Sequence, residues 1–278
     1  VILSEKRARE SPGFNAFVAS LSYYLKDSLF PSRLPIGTEE TINSIHADQF
    51  RTFYEGYYRP ENTFITLVGD IEPDYAAQKI AEYFSDWDSA SDIAALPSFE
   101  IETAALTQPR ARVYTDPEIQ TSVSVSVVKA AQDRQDSVKT RKDVLIEGLG
   151  NAMLNRRLGK LARSEAAQFI SASVGTSNFY DAAEISSLSV SAQPENWEAA
   201  LGQGEQALRQ AREFGFAQAE LDEQLANYEN ALKVAVQTSP TRRTSGLAQE
   251  IMSSFSGEVV LTTPELDLEQ FLAAKPDI

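Results

Sequence analysis

The sequence predicts an α+β fold in which an antiparallel sheet packs against helices on one of its faces. The segment 119–127 alternates apolar or branched residues with serine and glutamine, a period of two that is typical of a strand with one polar face. Several longer segments repeat apolar residues every three or four positions, which indicates amphipathic helices. These helices come in groups after the strands, so the pattern does not favour a doubly wound parallel sheet.

The first part of the chain is predicted to be mostly helical. Residues 1–26 have a helical pattern that Pro12 interrupts, and Thr38 has the side chain of an N-cap with two glutamates in the turn that follows it. A further helix is predicted to begin at His46 or Ala47 and to end before Pro60, because proline cannot continue a helix. The apolar residues of this helix share one face: Phe50, Phe53, Tyr54 and Tyr57.

A short β-rich run then precedes another helix. Residues 64–68 are expected to form a strand that is buried on both faces. The next helix is predicted from Pro73 to about Trp87, and its apolar stripe is expected to face a core. That stripe consists of Ala76, Ile80 and Phe84.

The second part of the chain is predicted to contain a long helix, two more strands and three helices. The long helix covers about 136–163, and the strands cover 169–174 and 185–192. Three stripes at helical spacing follow, with their first apolar residues at Trp197, Leu221 and Leu247. A short helical segment is expected near the end.

These elements are predicted to divide into two tandem two-layer domains. Residues 1–95 form the C-terminal part of a first, incomplete domain, and residues 111–278 form a second domain. Residues 96–110 are interpreted as the linker, because the periodicity is lost there and prolines and small residues collect. The first residues resemble neither a start nor a signal peptide, so we expect the chain to begin within a longer protein.

Composition excludes several classes of function. The 278 residues include 40 acidic and 25 basic side chains, a net charge of −15, which argues against nucleic acid as a partner because phosphate contacts need Lys and Arg. Cysteine is absent, so neither a disulfide framework nor a thiolate zinc site can form. No apolar run reaches the length of a membrane span. These features fit the cytoplasm and the periplasm equally well.

Three short motifs in the first part resemble the pitrilysin/insulinase family of zinc metallopeptidases, which includes the mitochondrial processing peptidases. They are Leu34-Pro35-Ile36-Gly37-Thr38, then Phe53-Tyr54 with Tyr57-Tyr58-Arg59-Pro60-Glu61-Asn62, and Val68-Gly69-Asp70. Weaker matches in the second part resemble the second, non-catalytic domain of the same family. They are the run from Leu154 to Leu161, and Gly215 followed by Glu220-Leu221.

The resemblance implies a zinc site to which this chain contributes one ligand. Active members bind zinc with a His-x-x-Glu-His helix and a later glutamate, and the glutamate of the motif acts as general base on the zinc-bound water. No His-x-x-Glu-His occurs in these residues, so the motif is expected upstream of Val1. The run from Val1 to Glu5 matches the Val-x-x-Glu pattern of the later helix, which makes Glu5 the candidate third zinc ligand. Its alternative role is that of a solvated helix carboxylate.

Other candidate residues favour structural roles. His46 is the only histidine, and we interpret it as a residue at a helix start, since one imidazole cannot build a site of two or three. The glutamates at 39 and 40 are interpreted as a charged helix start. Arg156 and Arg157 could grip a substrate carboxylate, but a long helix more commonly presents such side chains to solvent or to a neighbouring acid.

The resemblance therefore predicts a piece of a zinc-dependent metalloendopeptidase that hydrolyses peptides or unfolded polypeptides and is inactive without its upstream motif. The alternative from another class is a non-catalytic, peptide-binding or scaffold subunit of the same family. An unrelated α+β domain would require the motif matches to be coincidental. If the first domain lacks strands, its exposed edge and apolar surface are expected to attract a partner subunit or a second copy.

Overall fold

A computed structural model describes residues 1–26, 28–89, 108–132, 134–179, 183–257 and 259–278. The described residues form ten α-helices, three strands and five short 3-10 turns. The helices of the first part are α1 (Ile2–Arg9), α2 (Pro12–Tyr24), α3 (Glu39–Ser44), α4 (Ala47–Tyr57) and α5 (Pro73–Phe84). The second part contains β1 (Ser122–Ala130), α6 (Val138–Ala162), β2 (Ser171–Phe179), β3 (Ala183–Ser191), α7 (Trp197–Phe214), α8 (Gln218–Thr238), α9 (Thr244–Ser256) and α10 (Pro264–Ala274).

The three strands form one antiparallel sheet in the order β1-β3-β2. This arrangement confirms the predicted combination of helices with an antiparallel sheet. Each predicted strand of the second part is present, although β2 continues to Phe179, five residues beyond its expected end. In the part of the chain that the structure describes, no helix is both long and apolar enough to cross a membrane.

The chain divides into two compact units. The first unit comprises Val1–Ile36, Phe99–Ala231 and Phe271–Ile278, and the second comprises Gly37–Ser98 and Leu232–Gln270. This division differs from the two tandem domains expected at 1–95 and 111–278, which stay a prediction. Most of the predicted linker, residues 96–107, lies outside the described residues.

The core of the first unit lies between one face of the sheet and the helices α6 and α7. Leu188 and Val190 of β3 are buried there against Leu154 and Leu158 of α6. Helix α7 comes close to β3 at Gly204, where an added β-carbon would lie 3.0 Å from the Cγ2 atom of Val190. The absence of a side chain at that point allows the close approach.

The other face of the sheet is polar along most of its length and apolar at one end. Because side chains alternate along a strand, the even-numbered residues of β1 share this face with the odd-numbered residues of β2 and β3. Serine occupies eight of the nine positions in three successive rows across the strands: Ser122, Ser191 and Ser171, then Ser124, Ser189 and Ser173, then Ser126, Ser187 and Gly175.

Helix α2 covers the apolar end of this polar face. Leu21 of α2 and Leu25, its C-terminal cap residue, pack with the buried Ala183, and Val128 and Ile185 pack against this cluster. The sequence predicted helices on only one face of the sheet, and the packing of α2 on the opposite face differs from that prediction. The predicted alternation ended at Val127 and so did not include Val128, the apolar residue of β1 that falls on the serine side.

Asn155 of α6 occupies the outer edge of β2. Its Nδ2 donates to the carbonyl oxygen of Val174 at 2.9 Å, and its Oδ1 accepts from the Val174 N–H at 2.8 Å. The side-chain amide therefore satisfies one backbone donor and one acceptor that an added strand would otherwise bind.

The run at 64–68 does not form the predicted strand. The structure assigns it no ladder, and the side chains of Phe64, Ile65 and Leu67 are exposed. A strand needs a neighbour for its backbone groups, and the described residues of the second unit provide none. The run packs on α9 through side chains only: the ring of Phe64 stacks on Phe255 with centroids 4.0 Å apart.

The apolar stripe of α5 is less buried than predicted. Both α4 and α5 form as expected, but on α5 Phe84 is 45% exposed and Ala76 and Ile80 are only half-buried. On the apolar face of α4, Phe50 and Phe53 are 54% and 58% exposed. Periodicity predicted the helices correctly because it records which residues share a face. It does not record whether another element covers that face, so the expected burial of Phe84 was wrong.

A buried arginine follows α4. Arg59 is 1% exposed, and its Nη2 makes one long hydrogen bond of 3.4 Å to the carbonyl of Glu55. Its Nε and Nη1 atoms have no hydrogen-bond partner among the residues described. The Glu61 carboxylate attracts the guanidinium, but the two N–H donors without acceptors are costly to bury, so this side chain is a local source of instability in the second unit.

We predict that Asn155→Ala destabilises the chain by about 2 kcal/mol, because the backbone groups of Val174 lose both partners. Thermal unfolding should then shift downward by roughly 4–8 °C. Asn151→Ala is the matched control, since Asn151 lies one turn earlier on α6 and makes no side-chain hydrogen bond within the described ranges. Equal melting temperatures for the two variants would contradict the prediction.

We predict that Arg59→Met leaves the melting temperature unchanged or raises it. Methionine fills a similar volume without a charge that must be compensated. Differential scanning calorimetry of the variant and the parent chain measures the effect. The matched control is Arg51→Met on α4, at an exposed arginine, where no change is expected. A loss of more than a few degrees in Arg59→Met alone would mean that the guanidinium is compensated after all.

Candidate functional site

Glu5, the candidate zinc ligand, lies on α1 and is open to solvent. Its carboxylate accepts a hydrogen bond from Nη2 of Arg9 at 2.7 Å, one helical turn later, and about half of its side-chain surface is exposed (49%). This local geometry is that of an ordinary surface ion pair between residues four apart on a helix.

The residues around Glu5 do not complete a metal site. A zinc site needs three or four protein ligands, and no group of three or more His, Asp or Glu side chains that could hold a metal occurs in the described ranges. Glu5 supplies one donor, so the residues present here do not by themselves fit a catalytic zinc ion. The assignment of Glu5 as a zinc ligand therefore stays a prediction.

His46 has the structural position that the sequence predicted. It is the exposed residue at the N-cap of α4, and its backbone N–H donates to Oε1 of Gln49 at 2.9 Å. Glu39 and Glu40 lie in the first turn of α3, where carboxylates favour the helix dipole. The expectation that these polar residues begin helices is confirmed.

The strongest polar cluster joins α6 to the start of α8. Arg157 binds Glu220 through two parallel hydrogen bonds, from Nε to Oε1 at 2.7 Å and from Nη2 to Oε2 at 2.6 Å. The same Nη2 donates to the carbonyl of Gly215 at 3.1 Å, and the guanidinium carbon lies 4.6 Å from the centroid of the Phe216 ring. Arg157 thus combines an ion pair with Glu220, a hydrogen bond to a backbone carbonyl and a cation–π contact with Phe216.

The turn between α7 and α8 brings this cluster together. Gly215 has a φ of 68°, a left-handed conformation that favours glycine and ends α7. Two residues later the Ala217 N–H donates to Oε2 of Glu220 at 2.9 Å, so the carboxylate also caps the start of α8. The cap and the ion pair fix the direction in which the chain leaves the turn.

The electrostatics follow from these contacts. The hydrogen bonds from Arg157, followed by the backbone hydrogen bond from Ala217, lower the pKa of Glu220 from 4.5 to about 2. The hydrogen bond to Glu220 raises the pKa of the Arg157 guanidinium above its usual value. Both groups therefore stay charged at every pH near neutrality.

A shallow cleft of about 410 Å³ lies beside the pair, lined by Arg157, Gln210, Phe214, Gly215, Phe216 and Ala217. Its lining contains neither a nucleophile nor a general base, so the residues in view support no bond-breaking chemistry. We interpret the cluster as a structural clamp between α6 and the α7–α8 turn.

The neighbouring arginine forms a similar pair. Nη2 of Arg156 lies 2.5 Å from Oε1 of Glu223 on α8. The expected partner of both arginines was a neighbouring acid or solvent and not a substrate carboxylate, and the two ion pairs confirm this. The sequence does not reveal which acids they are, because the two glutamates lie more than 60 residues further along the chain.

Comparisons with known proteins agree with these observations. Residues 44–228 match the family described as Peptidase M16 inactive domain. A protein of Arabidopsis thaliana named zinc protease PQQL-like is 30% identical over 152 residues, which is 54% of this chain and 16% of that protein. The chloroplastic stromal processing peptidase of Oryza sativa subsp. japonica is 22% identical over 79% of this chain and 22% of its own length.

Solved structures extend the likeness to the whole chain. The first half of the periplasmic protease PqqL from Escherichia coli superposes with a TM-score of 0.86 at 20% identity, covering 100% of this chain and 59% of that one. The peptidase M16 inactive domain from Pseudomonas fluorescens gives a TM-score of 0.61 at 18% identity and covers 98% of this chain. At these identities the likeness concerns the fold. The chain spans less than a quarter of the two curated relatives.

We predict that Glu220→Gln lowers the melting temperature by roughly 2–4 °C at pH 7, since a partly exposed, bidentate pair contributes on the order of 1 kcal/mol. The pKa of Glu220 is lower in the folded chain than in the unfolded one. Its contribution is therefore complete above about pH 4.5 and is lost as the pH falls toward about 2. The difference between variant and parent should shrink across that window.

Thermal melts at a series of pH values measure this difference. Glu205→Gln is a suitable control, because Glu205 forms an exposed pair with Arg209 within α7 and should change stability little. A Glu220→Gln difference that stays constant from pH 6 to pH 3 would contradict the assignment.

Proposed function

The chain belongs to the peptidase M16 family, and on that premise we propose that it is the part of a zinc-dependent metalloendopeptidase that holds its polypeptide substrate without supplying the complete metal site. The observation that carries the proposal is the match to the inactive domain over residues 44–228. The 278 residues contain a single histidine, whereas the zinc motif of such an enzyme needs two, which agrees with a part of the enzyme that does not hold that motif.

The finer organisation is part of the same proposal. Residues 1–95 would be the later part of a metal-bearing domain, residues 96–110 a linker, and residues 111–278 a non-catalytic domain. Glu5 would be the third zinc ligand of the parent protein, with two imidazoles contributed by its His-x-x-Glu-His motif. Exposure of the Glu5 carboxylate on α1 supports this role, because an incoming ligand set could reach it.

The described geometry supports a scaffold role for the first unit. Arg157 ties α6 to the α7–α8 turn through Glu220, and Asn155 ties the same helix to β2. These side chains anchor α6 to the sheet on one side and to the α7–α8 pair on the other. They therefore hold the sheet and the helices in a fixed relative position. A rigid wall of this kind is what a peptidase needs to hold a polypeptide beside a metal centre that other residues build.

A second candidate function is that of a non-catalytic partner subunit of the same family, which binds peptide or organises a complex. The specific observation in its favour is that Glu5 is already paired with Arg9. The two candidates differ in one checkable feature, the presence of His-x-x-Glu-His in the sequence encoded upstream of Val1.

We predict that the purified 278-residue chain neither retains stoichiometric zinc nor cleaves peptides, since one carboxylate cannot bind the ion tightly. Inductively coupled plasma mass spectrometry and a fluorogenic peptide assay with and without a chelator measure the two properties. Chelator-sensitive cleavage by this chain alone would refute the proposal.

In the full-length protein, Glu5→Gln should remove most of the bound zinc and at least about a hundredfold of the activity. Glu10→Gln is the matched control, because Glu10 follows the same helix and pairs with Lys6. Equal zinc content in both variants would exclude Glu5 as a ligand and favour the partner subunit.

A further inference from the structure

The second unit has no apolar core in the part that the structure describes. All fifteen buried apolar residues lie in the first unit, and the buried residue of the second unit is the cation Arg59. The helices α3, α4, α5 and α9 belong to the second unit, and none of their residues is buried. A folding unit of this length is normally held together by a buried apolar core, so these helices form only one part of a domain.

The apolar side chains for such a core are present but uncovered. On α4, Phe50, Phe53 and Tyr54 share one face and are 54%, 58% and 57% exposed. Each aromatic side chain can bury roughly 150–250 Å², so this face offers a large area for packing. An amphipathic helix forms stably when its apolar face packs on another layer, so this face is one that further chain covers.

The run at 64–68 shows which kind of layer is missing. Among the described residues, none of its backbone N–H and C=O groups makes a hydrogen bond. Phe64 packs on Phe255 of α9, whereas Ile65 and Leu67, which alternate with it, are 38% and 53% exposed. A β-rich segment with a helix on one face and free backbone groups is a strand without its sheet.

Arg59 gives an independent indication that chain is missing here. Its side chain is 1% exposed, and its Nε and Nη1 atoms have no acceptor in the described ranges. Proteins rarely bury donors in this state because it is costly. Oxygen atoms from further chain would satisfy these donors.

Neither the undescribed residues of this unit nor a second copy of the chain accounts for the missing layer. The undescribed residues of the second unit are 90–98 and Glu258, which include two large apolar side chains, Ile93 and Leu96. Two side chains are too few to build a core. Residues 37–89 carry eleven acidic and three basic side chains, so two copies repel each other at this unit.

We infer that the second unit is the helical layer of a two-layer domain whose sheet is completed by chain outside these 278 residues. In the completed domain, the run at 64–68 is one strand of that sheet, and the aromatic face of α4 is buried. The added chain contains strands that bind the free backbone groups of the run, and apolar side chains that pack on α4.

The source of the added chain rests on the proposed function. That proposal makes residues 1–95 the later part of a metal-bearing domain, so the earlier part of the same domain is the expected occupant. The solved first half of PqqL has room for it, because this chain matches over its whole length and covers 59% of that protein. Covalent linkage also favours this occupant, because it gives the added chain a high effective concentration.

Hydrogen exchange of the 278-residue chain and of the full-length protein tests the inference. In the 278-residue chain, the amides of α4 should exchange at least about a hundredfold faster than those of α7, because α4 lacks a core. In the full-length protein, the α4 amides and alternate amides of the run at 64–68 should slow at least about a hundredfold, with α7 unchanged. Both proteins are measured with a chelator, so that the result does not depend on bound zinc.

Substitution of Phe53 gives a second readout. Phe53→Ala should lower the melting temperature of the full-length protein by at least about 5 °C, because it removes a ring that is buried there. It should change that of the 278-residue chain little, since the ring is 58% exposed. Phe53→Leu gives a smaller shift in the same direction if the alanine variant does not fold. Phe214→Ala is the matched control, at an 81% exposed ring on α7, and should change neither protein.

The outcomes separate this inference from the proposed function. Slow α4 exchange in the 278-residue chain at about 5 µM, or slowing that develops toward about 500 µM, would overturn the inference in favour of the chain's own residues or a second copy. Fast α4 exchange in a full-length protein that binds zinc would overturn the inference alone. Slow exchange in a full-length protein without His-x-x-Glu-His would support the inference and refute only the metallopeptidase assignment.

Discussion

The need of every strand for a neighbour that satisfies its backbone groups governs this structure. Strand β3 has a neighbour on both sides and forms the centre of the sheet, with Leu188 and Val190 buried beneath α6 and α7. Strand β2 uses the amide of Asn155 in place of an outer neighbour. The run at 64–68 has the composition of a strand and no ladder, so it remains extended and exposed. A β-rich composition allows a segment to form a strand, but the strand forms only where a neighbouring strand binds its backbone N–H and C=O groups.

The same constraint explains what could be predicted from the sequence. Helix positions followed from apolar spacing, from the N-cap at Thr38 and from Pro60, all of which act within a few residues. The extent to which the α5 stripe is buried could not be predicted in this way, because burial depends on contacts with residues far away in the sequence. The position of α2 on the serine-rich face and the choice of Glu220 by Arg157 are long-range in the same sense.

For the candidate site residues, the sequence predicted their structural roles better than it predicted which residues they contact. His46 begins a helix, and both arginines of α6 pair with acids, as expected. The Glu5 assignment depends on residues that must meet it in space, and α1 shows only its pair with Arg9. Asn155 was missed as an edge-binding residue, although a polar amide amid the apolar positions of a long helix is the kind of signal that could have identified it.

Helix α6 carries part of the family resemblance and also most of the side-chain anchors described above. Its residues Asn155, Arg156 and Arg157 contact a strand, a helix and a turn in succession, while Leu154 and Leu158 on its inner face enter the core. The run from Leu154 to Leu161, which carried part of the family resemblance, is thus a set of structural anchors.

The close approach of α7 to β3 at Gly204 limits how this fold can diverge. A methyl group there would sit 3.0 Å from Val190 and 3.6 Å from Leu188, both of them buried. A lineage that replaces the glycine must either shift the whole helix outward or shrink a side chain in the strand beneath it. Exchange of bulk between these two positions is therefore the covariation to look for when sequences of this domain are aligned.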